Sequence, residues 1–549
     1  MEKEIMFDQM FCFQCQETAG GVGCTKYGVC GKGPDIAAMQ DILIFVTKGL
    51  SSITTRLRKE NKTVDKETNH LVTQNLFITT TSTNFDKESI AKQIKKTVSV
   101  KDDLLRQIND KSGLPKAAFW GFKDSFKKSG MGALILETKD RDIRSLRELL
   151  AYGLKGLAAH MKYANALFHE NEQVDIFIQK ALSQILDDSL NAKDLMGLVL
   201  ETGKYGAVAM GLLDKANSTI YGEPVATTVQ LGVRDNPGIL VSGHDYRDLA
   251  MLLNQTEGTG VDVYTHAEML SAHYYPKIKR YSHLVGNYGN SWWEQKSDFA
   301  KFNGPILMTS NCIVPPSEQY IHRLWTTGTA GFPGCKHIHG DYVEKKDFSP
   351  LIEKAKNCRP PEELESGNVI GGFARNQLLE ISESVAEAIK RGKIRKLLVI
   401  AGCDGRTEAQ HYYTELAQWV PQDVIILTAG CAKYRFIKQN NGMIAEIPRV
   451  LDAGQCSDSY SLLVFAQRLK ELLGEKDINN LPIIFNISWY GQKAVIVVLT
   501  MLYLGVKNIH FGPTIPAFLS PNVTSFLAEK FGINGIGNVN DDLKSFLRS

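Results

Sequence analysis

The pattern that most restricts how this chain can fold is short and recurs. An apolar run closes on a glycine or a small polar residue, and a residue able to bind a metal follows. Residues 396–403 read KLLVIAGC and residues 423–431 read DVIILTAGC. The plan also appears as GPILMTSNC at 304–312, as GILVSGH at 238–244 and as VDVYTHAE at 261–268. Short apolar runs bounded by Gly or Pro read as buried strands. In open α/β sheets, ligands bind beyond the carboxyl ends of the strands. The spacing therefore predicts that His244, Glu268, Cys312, Cys403 and Cys431 converge on one point. Soft thiolates with one imidazole and one carboxylate suit iron and sulfide with some oxygen chemistry.

A single strand ending in Cys is unremarkable, because a small thiol packs well in a core. Three such runs, with matching His and Glu ends, favour a ligand role. Cys456, in the loop LDAGQCSDSYS, joins them as a candidate, and so does Cys335 in FPGCKHIHG. Cys358 in KNCRPP reads as an ordinary loop thiol, and His266, His273, His337 and His339 as supporting or structural residues.

A second cysteine group lies near the start. Cys12, Cys15, Cys24 and Cys30 follow C-x2-C-x8-C-x5-C inside CFQCQETAGGVGCTKYGVC. Its glycines permit a tight loop that folds four sulfurs around one centre. Four thiolates suit zinc or an iron–sulfur cluster. Zinc sites of this kind more often come as two C-x2-C knuckles, and one is present here, so the spacing favours iron–sulfur over zinc and over unliganded thiols.

Composition narrows the class. The 549 residues are 43% hydrophobic and 22% charged, ordinary for a globular protein of several domains. A net charge of +3 is too small to argue for nucleic acid or an anionic membrane. The opening MEKEIMFDQM does not read as a secretory leader. The longest apolar run, at 494–506, is well short of the ~20 residues of a membrane helix. The expectation is a cytoplasmic protein, where ten cysteines serve as ligands rather than disulfides.

Helical spacing dominates the first part. Gly33-Pro34-Asp35 makes a helix start, and Ile36, Met39, Leu43, Val46 and Leu50 share a face. Residues 143–161, 174–186 and 195–213 repeat the pattern, and the polar 61–110 reads as partly helical. His160 and His169 read as structural histidines on these helices. From Glu223-Pro224 onward, strands alternate with helices, which argues for α/β layers. The Pro360-Pro361 pair marks a further boundary. The expected organisation is a helical-bundle domain at 1–222 and two Rossmann-like α/β domains at 223–362 and 363–549. No P-loop and no G-x-G-x-x-G after a strand is present, so electrons for redox work arrive from another protein.

With both constellations in view, the chain closely resembles the hybrid cluster protein family, also known as hydroxylamine reductases. The carrying motifs run end to end: CFQCQETAGGVGCTKYGVCGK, SGHDYRDL, YTHAEMLSAHYYP, TSNCIVPP, GFPGCKHI, AGCDGR, TAGCAKYRF, LDAGQCSDSYS and SWYGQKA. The resemblance implies a helical first domain, two α/β domains and a mixed cluster at their junction. It implies that Cys12, Cys15, Cys24 and Cys30 hold a 4Fe-4S cluster, their spacing being that of the anaerobe-type branch. It implies that His244, Glu268, Cys312, Cys403, Cys431 and Cys456 hold a hybrid cluster of the 4Fe-2O-2S type, with a persulfide at Cys403 and Lys493 alongside. Cys335 matches no ligand position and is set aside. One departure stands out: the family motif WYEQKA carries a ligand glutamate where this chain has Gly491.

The activity so implied is two-electron reduction of hydroxylamine to ammonia and water, or of nitric oxide to nitrous oxide. Glu268, His244 and Cys403 would sit at the reacting centre. A ferredoxin-like or flavin/iron–sulfur reductase would serve as a separate electron donor. A rival of a different class is a nitric-oxide-responsive protein that nitrosylates partner thiols. A carbon monoxide dehydrogenase role would need nickel, and the Glu268 position speaks against it.

Overall fold

The computed structural model describes residues 10–121, 135–340, 345–439 and 442–548. The opening residues 1–9, read above for a leader, lie outside them.

The first layer is helical. Helix α1 (Pro34–Lys59) starts on Gly33 with proline in its first turn, where the missing N–H costs nothing. It packs with α2 (Lys66–Ile78), α3 (Lys87–Leu105), the short α4 (Lys116–Phe119) and α6 (Glu172–Gln184), and α5 (Arg141–Ala166) packs with α2, α6 and α7 (Ala192–Tyr221). The polar stretch 61–110 thus holds two helices, each started by an aspartate, Asp65 or Asp86, whose side chain accepts from first-turn amides. Helix α7 opens on a capping box of Asn191 and Asp194. By length and apolar composition α1 could cross a membrane, but it is mostly buried inside this bundle, as a core helix would be.

Two sheets follow. The first has eight strands: β1 (Thr227–Gln230), β2 (Gly238–Ser242), β3 (Asp262–Thr265), β4 (Leu284–Asn287), β5 (Ile306–Met308), β6 (Leu324–Thr327), β7 (Lys336–Ile338) and β8 (Asn368–Gly371), in the order β7-β6-β5-β2-β3-β4-β1-β8. All pairs are parallel except β1 with β8. The chain therefore leaves this sheet after Gly371, a little beyond the Pro360-Pro361 pair. The second sheet orders β9 (Lys396–Gly402), β10 (Val424–Thr428), β13 (Val450–Asp452), β14 (Ile483–Ser488) and β15 (Ile509–Gly512) as β13-β10-β9-β14-β15, all parallel. A two-stranded ribbon of β11 (Met443–Ile444) and β12 (Ile447–Pro448) sits apart.

Both sheets wind outward from a central strand in two directions. From β2 the chain passes to β3 and β4 on one side and to β5 and β6 on the other. From β9 it passes to β10 and β13, then to β14 and β15. Such reversal points open a crevice at the carboxyl edge. His244 follows β2 and Cys403 follows β9.

Helix α15 (Gln492–Tyr503) joins the layers. It leaves β14 and runs into the helical bundle between α5 and α7. A Cβ at Gly203 would lie 2.0 Å from the Leu499 carbonyl oxygen, and one at Gly156 would lie 2.4 Å from that of Gln492. Glycine on α5 and α7 thus lets helix backbones touch. Thr500 Oγ1 donates to the Gly203 carbonyl across the same contact (3.1 Å). Ala494 through Leu502 are all buried, and each fully buried aliphatic side chain contributes about 1.5–3 kcal/mol.

Adding a methyl at this contact overpacks it. Gly203→Ala is expected to cost about 1–3 kcal/mol and to lower the melting temperature. Gly197→Ala, on the same helix with nothing within 4 Å, is expected to hold or raise it, because Ala is the better helix former. Thermal denaturation of the two variants side by side checks the pair.

Candidate metal centre

The carboxyl edges of the two sheets meet at a small cavity of roughly 40 Å3. His244, Glu268, Cys312, Cys403, Cys431, Cys456, Gly491 and Lys493 all line it. The donor-bearing residues arrive by the same device. A strand ends and the backbone turns sharply, through Gly243 (φ +103°), Gly402 (φ +104°) and Gly430 (φ +89°) before His244, Cys403 and Cys431. Cys312 takes the left-handed conformation itself (φ +74°), as does Ala267 before Glu268 (φ +53°). Non-glycine residues seldom adopt it, and the strain concentrates at functional sites.

Hydrogen bonds fix the ring of donors. Ser310 Oγ accepts from the His244 backbone N–H (2.9 Å) and lies 3.3 Å from its Nδ1, which leaves Nε2 facing the cavity side, 3.9 Å from Glu268 Oε2. Glu268 Oε2 accepts from the Cys456 N–H (2.8 Å). Gln455 Nε2 donates to the carbonyls of His244 (3.1 Å) and Glu268 (3.4 Å), tying the two sheets together. Ligand atoms of His244, Glu268 and Cys456 all lie within 4.8 Å of one another. Asn311 Nδ2 donates to Cys312 Sγ (3.2 Å).

Four polar atoms of cavity-lining residues have no hydrogen-bond partner among the described residues: the charged-group atoms Glu268 Oε1 and Lys493 Nζ, and the hydroxyls of Thr81 and Tyr490. Unpaired polar groups are costly in an interior and call for a ligand. Burial pushes the Cys403 thiol up, pushes Cys312 up to about 12, and pushes Cys431 and Cys456 well above the ordinary thiol range. Burial also pulls His244 well below its usual value, with the Lys493 and Lys162 charges adding to it, so the imidazole is neutral and free to coordinate. Burial opposes the Lys493 charge, yet Cys456, Tyr163, Cys312 and Glu268 around it hold its pKa above the ordinary one. Thiols, a neutral imidazole and a carboxylate in a dry pocket fit a soft metal–sulfide group, whose positive charge makes the thiolates stable.

The N-terminal cysteines occupy a loop beside this cavity. Cys12 and Cys24 exchange backbone hydrogen bonds (3.0 and 2.8 Å), and Gly20 and Gly21 turn the chain between Cys15 and Cys24 through positive φ. Ala19 N–H points at Cys24 Sγ (3.4 Å). Cys15, Cys24 and Cys30 are buried. Burial raises Cys15 well above its ordinary pKa, with Cys30 and Cys12 adding to it.

The loop is bound to the cavity wall. Gln16 N–H donates to the Tyr490 carbonyl (3.0 Å), and Gln492 Nε2 donates to Gln14 Oε1 (3.1 Å). Arg406, three residues past Cys403, clasps the Glu17 carboxylate at 2.8–3.0 Å. Cys15, Trp292, Cys431 and Tyr490 share one apolar cluster, and the Trp292 and Tyr490 rings lie 4.4 Å apart. Asp404 anchors Trp292 through its carbonyl and Trp293 through its carboxylate.

Other sequence candidates lie elsewhere. Cys335 packs against a separate cluster around Phe85 and Tyr320, and Cys358 Sγ donates to the Lys354 carbonyl. His266 bridges Ser242 and Asp298, and His273 meets Thr265 Oγ1 (3.0 Å). His337 meets Thr326 Oγ1 (2.9 Å), with the His339 ring edge-on beside it. His160 is fully buried with no partner for either ring nitrogen among the described residues, and burial brings it down to about 3. His169 Nδ1 meets the Leu167 carbonyl. Trp292, Tyr490, Ser310 and Gln455 were not legible as site residues. Gln455, directly before Cys456, and Tyr490, directly before Gly491, carried the one available signal, adjacency to a candidate.

Comparison with known proteins agrees with this architecture. A relative called hydroxylamine reductase from Desulfovibrio desulfuricans is 57% identical over 546 residues, 98% of this chain and 100% of the relative. One of the same name from Clostridium perfringens is 56% identical, covering 98% and 99%. Among solved structures, a nickel-free carbon monoxide dehydrogenase from Thermococcus sp. AM4 matches 98% of this chain and 90% of its own, with a TM-score of 0.57 at 17% identity. Carbon Monoxide Dehydrogenase IV from Carboxydothermus hydrogenoformans matches 100% and 93%, also with a TM-score of 0.57, at 14% identity. These two show a shared fold. The Prismane/CO dehydrogenase pattern matches residues 10–544, so the chain belongs to the Prismane/CO dehydrogenase family.

Proposed function

We propose that this chain is an iron–sulfur oxidoreductase that reduces hydroxylamine to ammonia and water, as the names of its relatives suggest. The observation that carries the reading is the closed ring of four thiols, one neutral imidazole and one carboxylate around a cavity with an unpaired Lys493 ammonium. In this reading Cys12, Cys15, Cys24 and Cys30 hold a 4Fe-4S cluster. His244, Glu268, Cys312, Cys403, Cys431 and Cys456 hold the hybrid cluster, which when bound supplies stored electrons and an iron acting as a Lewis acid toward the N–O group.

The chain's own residues do the rest. Hydroxylamine takes up two electrons and two protons, its N–O bond breaks, and one proton goes to each fragment. Lys493 holds a proton at Nζ on the cavity wall. It is a fixed cation beside the departing oxygen and a donor once that oxygen becomes basic. Ser310 and Gln455 keep the His244 ring and the Glu268 backbone in place, and the Trp292–Tyr490 pair excludes water. A separate ferredoxin-like or flavin/iron–sulfur donor delivers electrons at the Cys12–Cys30 loop, and the enzyme works in the cytoplasm. Nitrosyl transfer to partner thiols fits the site less well, because Cys431 and Cys456 are buried and Cys312 and Cys403 only partly exposed, whereas transfer needs accessible sulfur.

Anaerobically purified protein is expected to be brown, to carry iron and sulfide at about two four-iron clusters per chain, and to turn over hydroxylamine. A colourless protein dominated by zinc would overturn the reading. Cys15→Ser replaces a soft ligand by a poor one. It should cut turnover supported by a protein donor more than turnover supported by a small strong reductant. Equal losses with both donors would remove the loop from the electron path.

Gly491 gives a separate test. It lines the cavity in an extended conformation (φ −136°, ψ −169°), and a Cβ there would meet Thr81 at 3.7 Å, an ordinary contact. A Cβ therefore fits here without a clash or backbone strain. A glutamate would add a hard oxygen donor and a negative charge where the family resemblance has one. Gly491→Glu is expected to raise iron occupancy at the second site and hydroxylamine turnover together. Iron analysis and activity of the two versions in parallel check it.

A further inference from the structure

A group of ionisable residues, most of them buried, lies against the N-terminal cysteine loop within the helical layer. Asp41 and Lys48 come from α1, and Glu148 and Lys155 from α5. With Gln14 they line one polar cavity. Asp41, Glu148 and Lys155 are all buried. Asp41 Oδ2 has no hydrogen-bond partner among the described residues. Lys155 Nζ donates to Gln14 Oε1 (2.9 Å) and to the Thr79 carbonyl (3.3 Å). Gln14 lies between Cys12 and Cys15, so the ammonium is one side chain removed from the loop backbone.

We propose that the Asp41–Lys48–Glu148–Lys155 group takes up a proton from solvent when the adjacent cysteine loop receives an electron. The inference rests on the reading that Cys12, Cys15, Cys24 and Cys30 hold an electron-accepting cluster. The balance is simple. The electron comes from the donor protein, the proton comes from water in the cavity, and the proton is held on the Asp41 carboxylate or the Lys155 amine. No other bond changes. Each electron bound for the second site is thus matched by a proton stored next to its route, and the reduction consumes one proton per electron.

The electrostatics support this direction. Burial pushes Asp41 up to about 7, with the charges of Lys32 and Lys155 working against it. Burial brings Lys155 down to about 7, helped by the Lys32 charge and opposed by Glu148, Asp41 and Cys12. Burial also raises Glu148 and lowers Lys48. Arg144, Arg147 and Tyr152 on α5, Lys116 on α4, Glu137, Lys139 and Asp140 ahead of α5, and Asp188 after α6 complete the charged and titratable lining. An acid and a base poised near neutrality exchange protons readily. A negative charge added nearby raises the proton affinity of both. By reciprocity, protonation of either favours reduction of the loop's cluster. The reduction potential should therefore fall as pH rises through neutrality and level off on either side.

The test uses the full holoprotein without substrate. The N-terminal cluster is titrated spectroscopically with reductant at several pH values, and proton uptake on reduction is followed with a pH indicator in weak buffer. Wild type is expected to show a reduction equilibrium that shifts by up to about tenfold per pH unit near neutrality, with matching proton uptake. Asp41→Asn and Lys155→Met should each flatten the dependence and reduce the uptake. A wild-type potential independent of pH, with no uptake, would overturn the proposal. So would an unchanged pH dependence in both variants. Should either variant fail to fold, wild-type proton uptake and Glu148→Gln still decide. Hydroxylamine turnover and iron content of the same wild-type preparation separate the two failures. A brown, active enzyme with a flat potential sinks only the proton uptake, whereas a colourless, inactive one sinks the reading beneath it as well.

Discussion

The seat of α15 is the contact on which the rest of this structure depends. A helix leaving the second sheet lies with its backbone against glycines of α5 and α7. That close approach places Gly491 and Lys493 on the cavity and Gln492 against Gln14 of the cysteine loop. Larger residues at Gly156 or Gly203 would hold the helix away and open both sites at once. The helical layer is therefore not an appendage to two α/β units. It forms the third wall of the cavity, contributing Thr80 and Thr81 from the turn after α2.

Much of the α/β region was legible because buried parallel strands are continuous apolar runs, and glycine marks their sharp exits. KLLVIAGC and DVIILTAGC stand in the structure as β9 and β10, with positive φ at the glycine before each cysteine. The start of α8 (Tyr246–Thr256) behind His244 was readable from Asp245, which caps it. What stayed hidden was everything decided by the packing of distant segments. That five-fold pattern of strand ends divides between two sheets whose edges face each other, and no local signal records this. The edge strands β7 and β8, and β1 beside β8, are short and partly exposed, so they lack the apolar signature. Trp292, Tyr490 and Gln455 act through neighbours remote in sequence. Hydrophobic periodicity places them in a core but not at a site.

Charge is distributed between the two cysteine sites in a way that suits different tasks. The second cavity holds one unpaired ammonium among thiols and a carboxylate, with His244 kept neutral by burial. That environment fixes its protonation states and lets a ligand charge dominate. Against the first loop, acids and bases share a polar cavity and stay near their transition points. A rigid charge pattern belongs where a substrate must be held. A pliable one belongs where charge arrives and departs.

The ties between the first cysteine loop and the cavity wall also set an order of events in the life of the chain. Cys12 through Cys30 are made well before their surroundings, which are supplied by Pro315, Arg406, Tyr490 and Gln492. Until those residues have been made and folded, the loop stands open to solvent and to oxidants. The thiols of this loop are thus enclosed only once segments far later in the chain are in place, and until then their protection falls to the surrounding cell.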